Sequence, residues 1–313
     1  MNTSITPTPP TVSVIIPVYN HAHRIDTAIH SVLAQSYQNY EIIVVNDGSS
    51  DNLKDVLQQF KSIKLINHDR NLGRATARNT GIRAARGEYI AFLDADDYWL
   101  PTKLTQQIVF FEEREDIAIC LTGYEMLMPD GRRHQMPSFQ EEMQGTYLLE
   151  YMSLPDGSVP MIRRLCFDKI GLQDTALEWH ENLDWFIRAV RGGYKTGYIA
   201  ESLCIKTKSQ KHPPTAITET ATIYLIKEYA NFFISYGLAG RSAMSIKWFD
   251  LASFFFHERK WRKGIYYLLK AAIIWPLTRP GLYIRLLDAL LGTDIETFVL
   301  SSHSYKFLKG IKK

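Results

Sequence analysis

Three carboxylates crowd into four residues at Asp94-Ala-Asp-Asp97, directly after the apolar run Tyr89-Ile-Ala-Phe-Leu93. Acids at the end of a buried segment repel one another and resist desolvation unless a cation joins them. Asp94 and Asp96, two apart on extended backbone, are expected to project to one side. Two hard oxygen donors there, with room for phosphate oxygens and water, suit Mg²⁺ or Mn²⁺. Asp97 is expected to cap the helix that begins near Pro101. A D-x-D triplet alone is a common accident, so its meaning depends on the elements that place it.

Those elements follow a regular rhythm. Val12-Ser-Val-Ile-Ile16 reads as a strand covered on both faces and ending at Pro17, with Pro17–Asn20 as the loop beyond it. Ile25, Ala28, Ile29, Val32 and Leu33 give a helical face from Arg24. Glu41–Val45 is a second buried strand that closes in Asn46–Asp51, where Asp51 or Ser50 can cap a helix carrying Leu53, Val56, Leu57 and Phe60. Ile63–Ile66 is a third strand, and Leu72–Ala85 a helix stopped by Gly87. Strands alternating with helices imply right-handed crossovers and an α/β fold with a mainly parallel, Rossmann-like sheet covered on both faces. Ligands of such sheets bind beyond the carboxyl ends of the strands. The four loops there (17–20, 46–51, 69–74 and 94–97) are polar while their strands are not, which implies one site. No G-x-G-x-x-G follows either early strand, which argues against a dinucleotide-dependent dehydrogenase.

Composition narrows the class further. The 313 residues are 46% hydrophobic, enough for a large core, and a net charge of +3 gives no electrostatic case for nucleic acid. Cys120, Cys166 and Cys204 are far apart and odd in number, which favours a reducing compartment and no zinc site. Residues 1–11 are polar and Pro-rich, with no apolar signal core, and read as a disordered tail. No apolar run reaches the length of a membrane-spanning helix. The expected location is cytoplasmic, with the inner face of the plasma membrane as an alternative.

Four segments carry a family resemblance. Val14-Ile-Ile-Pro-Val-Tyr-Asn20, Ile43-Val-Val-Asn-Asp-Gly-Ser-Ser-Asp51, Asn71-Leu-Gly-Arg-Ala-Thr-Ala-Arg-Asn-Thr-Gly-Ile82 and Gly87-Glu-Tyr-Ile-Ala-Phe-Leu-Asp-Ala-Asp-Asp97 resemble the family 2 glycosyltransferases in order and spacing. The likeness is strong over the first third, thins towards residue 205 and then stops. It implies a GT-A fold over 12–212, a nucleoside diphosphate sugar donor (UDP-sugar favoured), a divalent metal and inversion at the anomeric carbon. It further implies that Asp47 reads the ring N–H of the base, that Tyr19 flanks the base and the Pro17 carbonyl offers an acceptor, and that Asp96 holds the metal. Asp94 lies toward the ribose or the metal waters. Arg74 and Arg78 reach phosphate, or form a charged helix face.

The acceptor-side motif of this family carries Glu-Asp, and one of these takes the acceptor's proton. In Trp179-His-Glu-Asn-Leu-Asp-Trp-Phe-Ile-Arg188 that pair falls on Glu181-Asn182, and an amide accepts no proton at neutral pH. Glu181 is the favoured base. Asp184, on the neighbouring turn of a helix starting at Glu181, and His180 are the alternatives. Between these motifs a helix after Pro101, a strand over 117–128, a hairpin turn at Pro129–Gly131 and a helix over 140–152 are expected. A strand at 160–164, a short helix at 167–171 and a strand at 194–199 follow. Lys206–His212 is either a cationic lid over the diphosphate or a solvated connector. Residues 213–313 read as a C-terminal all-α region punctuated by Gly240, Gly264 and Gly281. Its aromatic and basic blocks suit core packing or peripheral membrane association through 216–313. The partners implied are the sugar nucleotide and a glycan or lipid-linked acceptor. The competing readings are a catalytically silent sugar-nucleotide binder and a membrane-docked assembly subunit.

Overall fold

A computed structural model describes residues 10–136, 142–143, 157–208 and 214–275. The tail over 1–9, most of the helix expected over 140–152, the second half of the 206–212 loop and everything after 275 lie outside the described residues. The chain forms two compact units that part in sequence between Lys211 and His212.

The first unit is built on one sheet. Its strands are β1 (Val12–Val18), β2 (Tyr40–Asn46), β3 (Ile63–Asn67), β4 (Tyr89–Phe92), β5 (Tyr98–Trp99), β6 (Ile117–Leu127), β7 (Arg133–Gln135), β8 (Glu142–Met143), β9 (Met161–Arg163) and β10 (Lys195–Thr207). They run in the order β3-β2-β1-β4-β9-β6-β10-β5, with β7 on β6 and β8 on β10. One half, β3-β2-β1-β4, is parallel, as the strand–helix rhythm implies. On the other half β9 enters antiparallel between β4 and β6, while β10 lies parallel to β6. Residues 142–143, expected to be helical, are a strand instead, paired antiparallel with β10.

β1 is buried along its whole length and continues through Pro17 to Val18. The missing N–H of Pro17 is tolerated because pairing with β4 ends at Ile15 opposite Phe92, so from Ile16 onwards only β2 is paired alongside. The helices α1 (Ile25–Leu33), α2 (Leu53–Leu57), α3 (Arg74–Ala84), α4 (Lys103–Glu113), α5 (Leu165–Ile170) and α6 (Glu181–Arg191) complete the unit. α1 buries Ile25, Ala28, Ile29 and Val32; the two isoleucines and the valine each contribute about 1.5–3 kcal/mol of apolar burial. α3 lies close against β1: a Cβ on Gly81 would stand 2.3 Å from Ile15 Cγ2.

Two expected caps are absent. Asp51 does not cap α2; its Oδ2 accepts from Ala22 N at 2.9 Å and ties the loop after β2 to the loop after β1. Asp97 does not cap α4, whose N-cap position is Thr102 with no side-chain hydrogen bond. The turn holds Asp97 inside instead.

The second unit is helical over its described residues: α7 (Thr215–Glu228), α8 (Ala230–Ser235), α9 (Gly237–His257) and α10 (Trp261–Ile274). Tyr267 stacks on Trp248 and Phe255, with centroids 5.4 and 5.6 Å away, and donates its hydroxyl to Glu219. Gly240 and Gly264 lie inside helices rather than between them. Each marks a close approach: a Cβ would collide with the Phe233 carbonyl and the Phe256 ring respectively. No helix among the described residues is long and apolar enough to cross a membrane.

Candidate active site

β4 delivers its chain to a turn rather than to extended backbone, since Asp97 N donates to Asp94 O at 3.0 Å. Asp94 and Asp96 are therefore placed by a turn, not by strand alternation. Ser158 pins this turn from across the sheet: its Oγ accepts from Asp94 N at 3.0 Å and donates to Asp97 Oδ2 at 2.6 Å. The end of β10 closes the other side, with Thr207 N donating to Asp97 Oδ1 at 2.8 Å and Thr207 Oγ1 to Asp96 O at 2.6 Å. Burial pushes the Asp97 carboxyl up to about 7; Lys206, 3.8 Å away, opposes this, and the charges of Asp94 and Asp96 add to it. Asp97 is thus a staple inside the turn.

Asp94 and Asp96 are partly buried. Burial raises the Asp96 pKa, and the Asp94 charge raises it further, against His21 and Lys206. Beside Asp94 Oδ2 stands Gly157, at φ +69°, whose Cβ would come within 2.2 Å of that oxygen. Two repelling carboxylates, one packed against a glycine that leaves it room, are hard oxygen donors of the type a divalent ion takes. Among the described residues no third His, Cys, Asp or Glu joins them. Such an ion would complete its shell with phosphate oxygens and water.

Arg78 is the centre of the site. It projects from α3 with no solvent exposure and binds three residues on two segments at once. Nη2 reaches Asp94 Oδ1 at 2.8 Å, while Nη1 reaches Glu181 Oε1 at 3.1 Å and Asn182 Oδ1 at 2.9 Å. The guanidinium is directed at these groups, not held open toward phosphate. Asn79, next to it, exchanges two hydrogen bonds with the backbone of Gln173, whose side-chain amide donates to Asn182 Oδ1 at 2.7 Å. The acceptor-side motif at the start of α6 is so fixed to the helix after β3.

Glu181 is buried at its carboxylate, with Arg74 Nη1 at 3.6 Å as its second cation. Both of these contacts fall on Oε1. Asp184 has a different setting. Arg188 Nε and Nη2 hold its Oδ2 at 2.9 Å, and the same guanidinium donates to the carbonyls of Ile170 and Leu172. Asp184 therefore anchors the 170–172 turn, and the structure does not bring it to Arg78. His180 precedes α6 in the left-handed region at φ 67°.

At the far side, Asp47 is nearly buried. Oδ1 accepts from His68 Nδ1 at 2.7 Å and Leu72 N at 2.9 Å, and Oδ2 from Gly73 N at 2.9 Å. It fastens the loop before α3, and a carboxylate accepting three bonds keeps about one further acceptor position. The Asn-Asp-Gly-Ser turn is held instead by Asn46, whose Oδ1 accepts from Ser49 N. Pro17 lies buried in β1, and Tyr19 on the following loop is 44% exposed.

The sequence reading did not find Ser158, Gln173 or His68. Ser158 and Gln173 act across 64 and 94 residues, and no local pattern marks them. His68 could have been found, since it directly follows β3 at the same sheet edge as the other loops.

A parallel half-sheet with an acidic turn at its carboxyl edge, continued by a mixed half, is the GT-A arrangement. Its fold resembles that of S. aureus TarS 1–349 in complex with UDP-GlcNAc (TM-score 0.58, 17% identity, 78% of this chain and 81% of that one). Residues 13–171 match the family described as glycosyl transferase family 2, and the chain belongs to it. The uncharacterized glycosyltransferase RP339 of Rickettsia prowazekii is 31% identical over 234 residues, 72% of this chain and 70% of that protein. TuaG of Bacillus subtilis, a glycosyltransferase assigned to teichuronic acid biosynthesis, is 44% identical over 126 residues, 39% of this chain. The Escherichia coli UDP-Glc:α-D-GlcNAc-diphosphoundecaprenol β-1,3-glucosyltransferase WfgD is 42% identical over 118 residues, 37% of this chain. The match spans about half the length of TuaG and of WfgD.

Proposed function

We propose that the chain transfers a hexose from a nucleoside diphosphate sugar to an acceptor hydroxyl with inversion, in the assembly of a polysaccharide or another glycan. The observation that carries this reading is Arg78, which joins the acidic turn to Glu181 in one buried contact set. Glu181 Oε2 takes the proton of the acceptor hydroxyl. The acceptor oxygen bonds to the anomeric carbon as that carbon's bond to the diphosphate oxygen breaks, and the electron pair leaves with the diphosphate. Asp94 and Asp96 would hold a Mn²⁺ or Mg²⁺ ion, which supplies positive charge for the leaving diphosphate. Arg78 fixes the Glu181 carboxylate relative to the donor side, so that base and leaving group are pre-oriented.

Asp47 would accept a base N–H at its remaining acceptor position, and exposed Tyr19 would flank the ring. A UDP-sugar donor is favoured by the fold neighbour that binds UDP-GlcNAc and by WfgD, whose name gives a UDP-Glc donor and a lipid-diphosphate acceptor. A lipid-linked acceptor would place the chain at the cytoplasmic face of a membrane. The exposed Ile265, Leu269 and Ile273 of α10, beside Arg262, suit peripheral contact there.

Asn182 motivates a second reading, a silent sugar-nucleotide binder. The test is release of UDP from UDP-sugars in the presence of Mn²⁺, with and without acceptor. Glu181→Gln should lower transfer by roughly 10²–10⁴-fold with donor affinity unchanged. Asp184→Asn should instead lower thermal stability. Activity retained in Glu181→Gln and abolished in a folded Asp184→Asn would overturn the assignment of the base. No turnover by the wild type with any sugar nucleotide would favour the silent binder.

A further inference from the structure

Trp179 stands apart from the two other tryptophans described in the first unit. Trp99 and Trp185 are buried, and their indole N–H groups donate to Ser158 O at 2.7 Å and Gly171 O at 2.8 Å. Trp179 is only half-buried, and its indole N–H has no acceptor among the described residues. Its ring is not part of the core. The Arg74 guanidinium lies 5.8 Å from the ring centroid, and the His180 ring is tilted against it at 5.9 Å. The same Arg74 reaches Glu181 Oε1 at 3.6 Å. One guanidinium thus spans the distance from the indole to the carboxylate, and Arg74 is itself half exposed.

A partly open aromatic face with a spare N–H donor suits an amphipathic ligand. A pyranose ring fits that description, with a patch of axial C–H groups on one face and hydroxyls around the edge. The backbone adds a second mark, because His180 adopts a left-handed conformation rare for a side-chain-bearing residue, between Trp179 and Glu181. That bend lies between the indole and the first residue of α6.

We propose that Trp179, flanked by Arg74 and His180, is the platform on which the acceptor's terminal sugar ring stacks. The indole N–H and the Arg74 guanidinium donate to hydroxyls at the ring edge. This rests on Glu181 being the base, because the stacked ring is then the one whose hydroxyl reaches Oε2. The donor sugar is held from the other side of Arg78, at the acidic turn.

The test reads the indole directly. The chain has 6 tryptophans, so a ¹⁵N-labelled protein gives few indole N–H signals, and Trp179→Phe identifies the one that belongs to Trp179. Methyl α-D-glucopyranoside and its 2-acetamido-2-deoxy counterpart, at millimolar concentration, serve as acceptor probes. The expected result is that at least one of them shifts the Trp179 signal, while UDP with Mg²⁺ does not. Saturation-transfer measurements should show Trp179→Ala weakening the probe about tenfold, with Trp179→Phe retaining most of the affinity. A Trp179 signal unmoved by both glycosides overturns the proposal. So does a signal moved by UDP with Mg²⁺, which would make the ring a donor platform. This outcome is independent of turnover, so a Glu181→Gln variant of unchanged activity would sink the assignment of the base while leaving the binding result to stand or fall alone.

Discussion

Replacing Arg78 by methionine removes a buried cation that contacts both the acidic turn and the acceptor-side helix. Breaking a buried ion pair by deleting one partner costs about 3–5 kcal/mol, because the remaining charge stays desolvated. The contacts here place the loss at the low end of that range. Asp94 keeps 24% of its side chain in solvent, Glu181 retains Arg74 at 3.6 Å, and Asn182 Oδ1 retains Gln173. About 3 kcal/mol is therefore expected, or a fall in Tm of roughly 6–12 °C for a unit of this size. Arg78→Lys keeps the charge but not the fork that reaches two directions, and should recover about half of the loss. The measurement is thermal or urea unfolding read by hydrogen exchange in β1 and β4, which reports on the unit that holds Arg78. A loss below about 1 kcal/mol in Arg78→Met would refute the view that the guanidinium holds these carboxylates at low dielectric.

Two further outcomes follow from buried ionisable groups. The Asp97 carboxyl titrates near 7 in the fold against 3.8 unfolded, so the folded state binds the extra proton and stability falls as pH rises across that window. Asp97→Asn should abolish that fall, which amounts to up to about 4 kcal/mol; urea midpoints with the same pH dependence in both proteins would contradict it. Lys103, fully buried with its amine on Gln107 Oε1 and 4.2 Å from the centre of the Trp99 ring, is pulled down to about 8 by burial from 10.5. The unfolded chain then binds more protons between those values, and stability should rise with pH by up to about 3 kcal/mol. Lys103→Met should be flat across that window and at least as stable at pH 7, and a steeper alkaline rise in the variant would refute the reading.

The parallel half of the fold was legible because β1, the core of β2 and β4 are almost wholly apolar and α1 carries one apolar face. Periodicity reports burial and little else. It therefore could not show that β9 enters antiparallel between β4 and β6, since a three-residue strand has no pattern of its own. The caps failed for a related reason. Asp51 and Asp97 stand where caps stand in sequence, but each has a stronger partner far along the chain, Ala22 for one and Ser158 with Thr207 for the other. A local rule cannot see a competitor that distant.

The candidate site divides in the same way. Asp94, Asp96, Asp47 and Glu181 could be singled out because motif spacing fixes them, yet their contacts follow from residues no motif names. Asn182 illustrates why this matters. In the sequence it looks like a lost base. In the fold its Oδ1 accepts from both Arg78 and Gln173, so the amide still performs the hydrogen bonding that a carboxylate would perform there. What the amide omits is a third negative charge around one guanidinium that already meets Asp94 and Glu181. A buried cation shared by three carboxylates leaves uncompensated charge at low dielectric, which is strongly unfavourable. With asparagine the cluster holds two carboxylates against Arg78, with Arg74 at its edge. That balance leaves buried Glu181 with two guanidinium partners, Arg78 at 3.1 Å and Arg74 at 3.6 Å. The departure from the family's pattern is thus compatible with a working base one residue earlier, and it makes Arg78 the residue on which that arrangement depends.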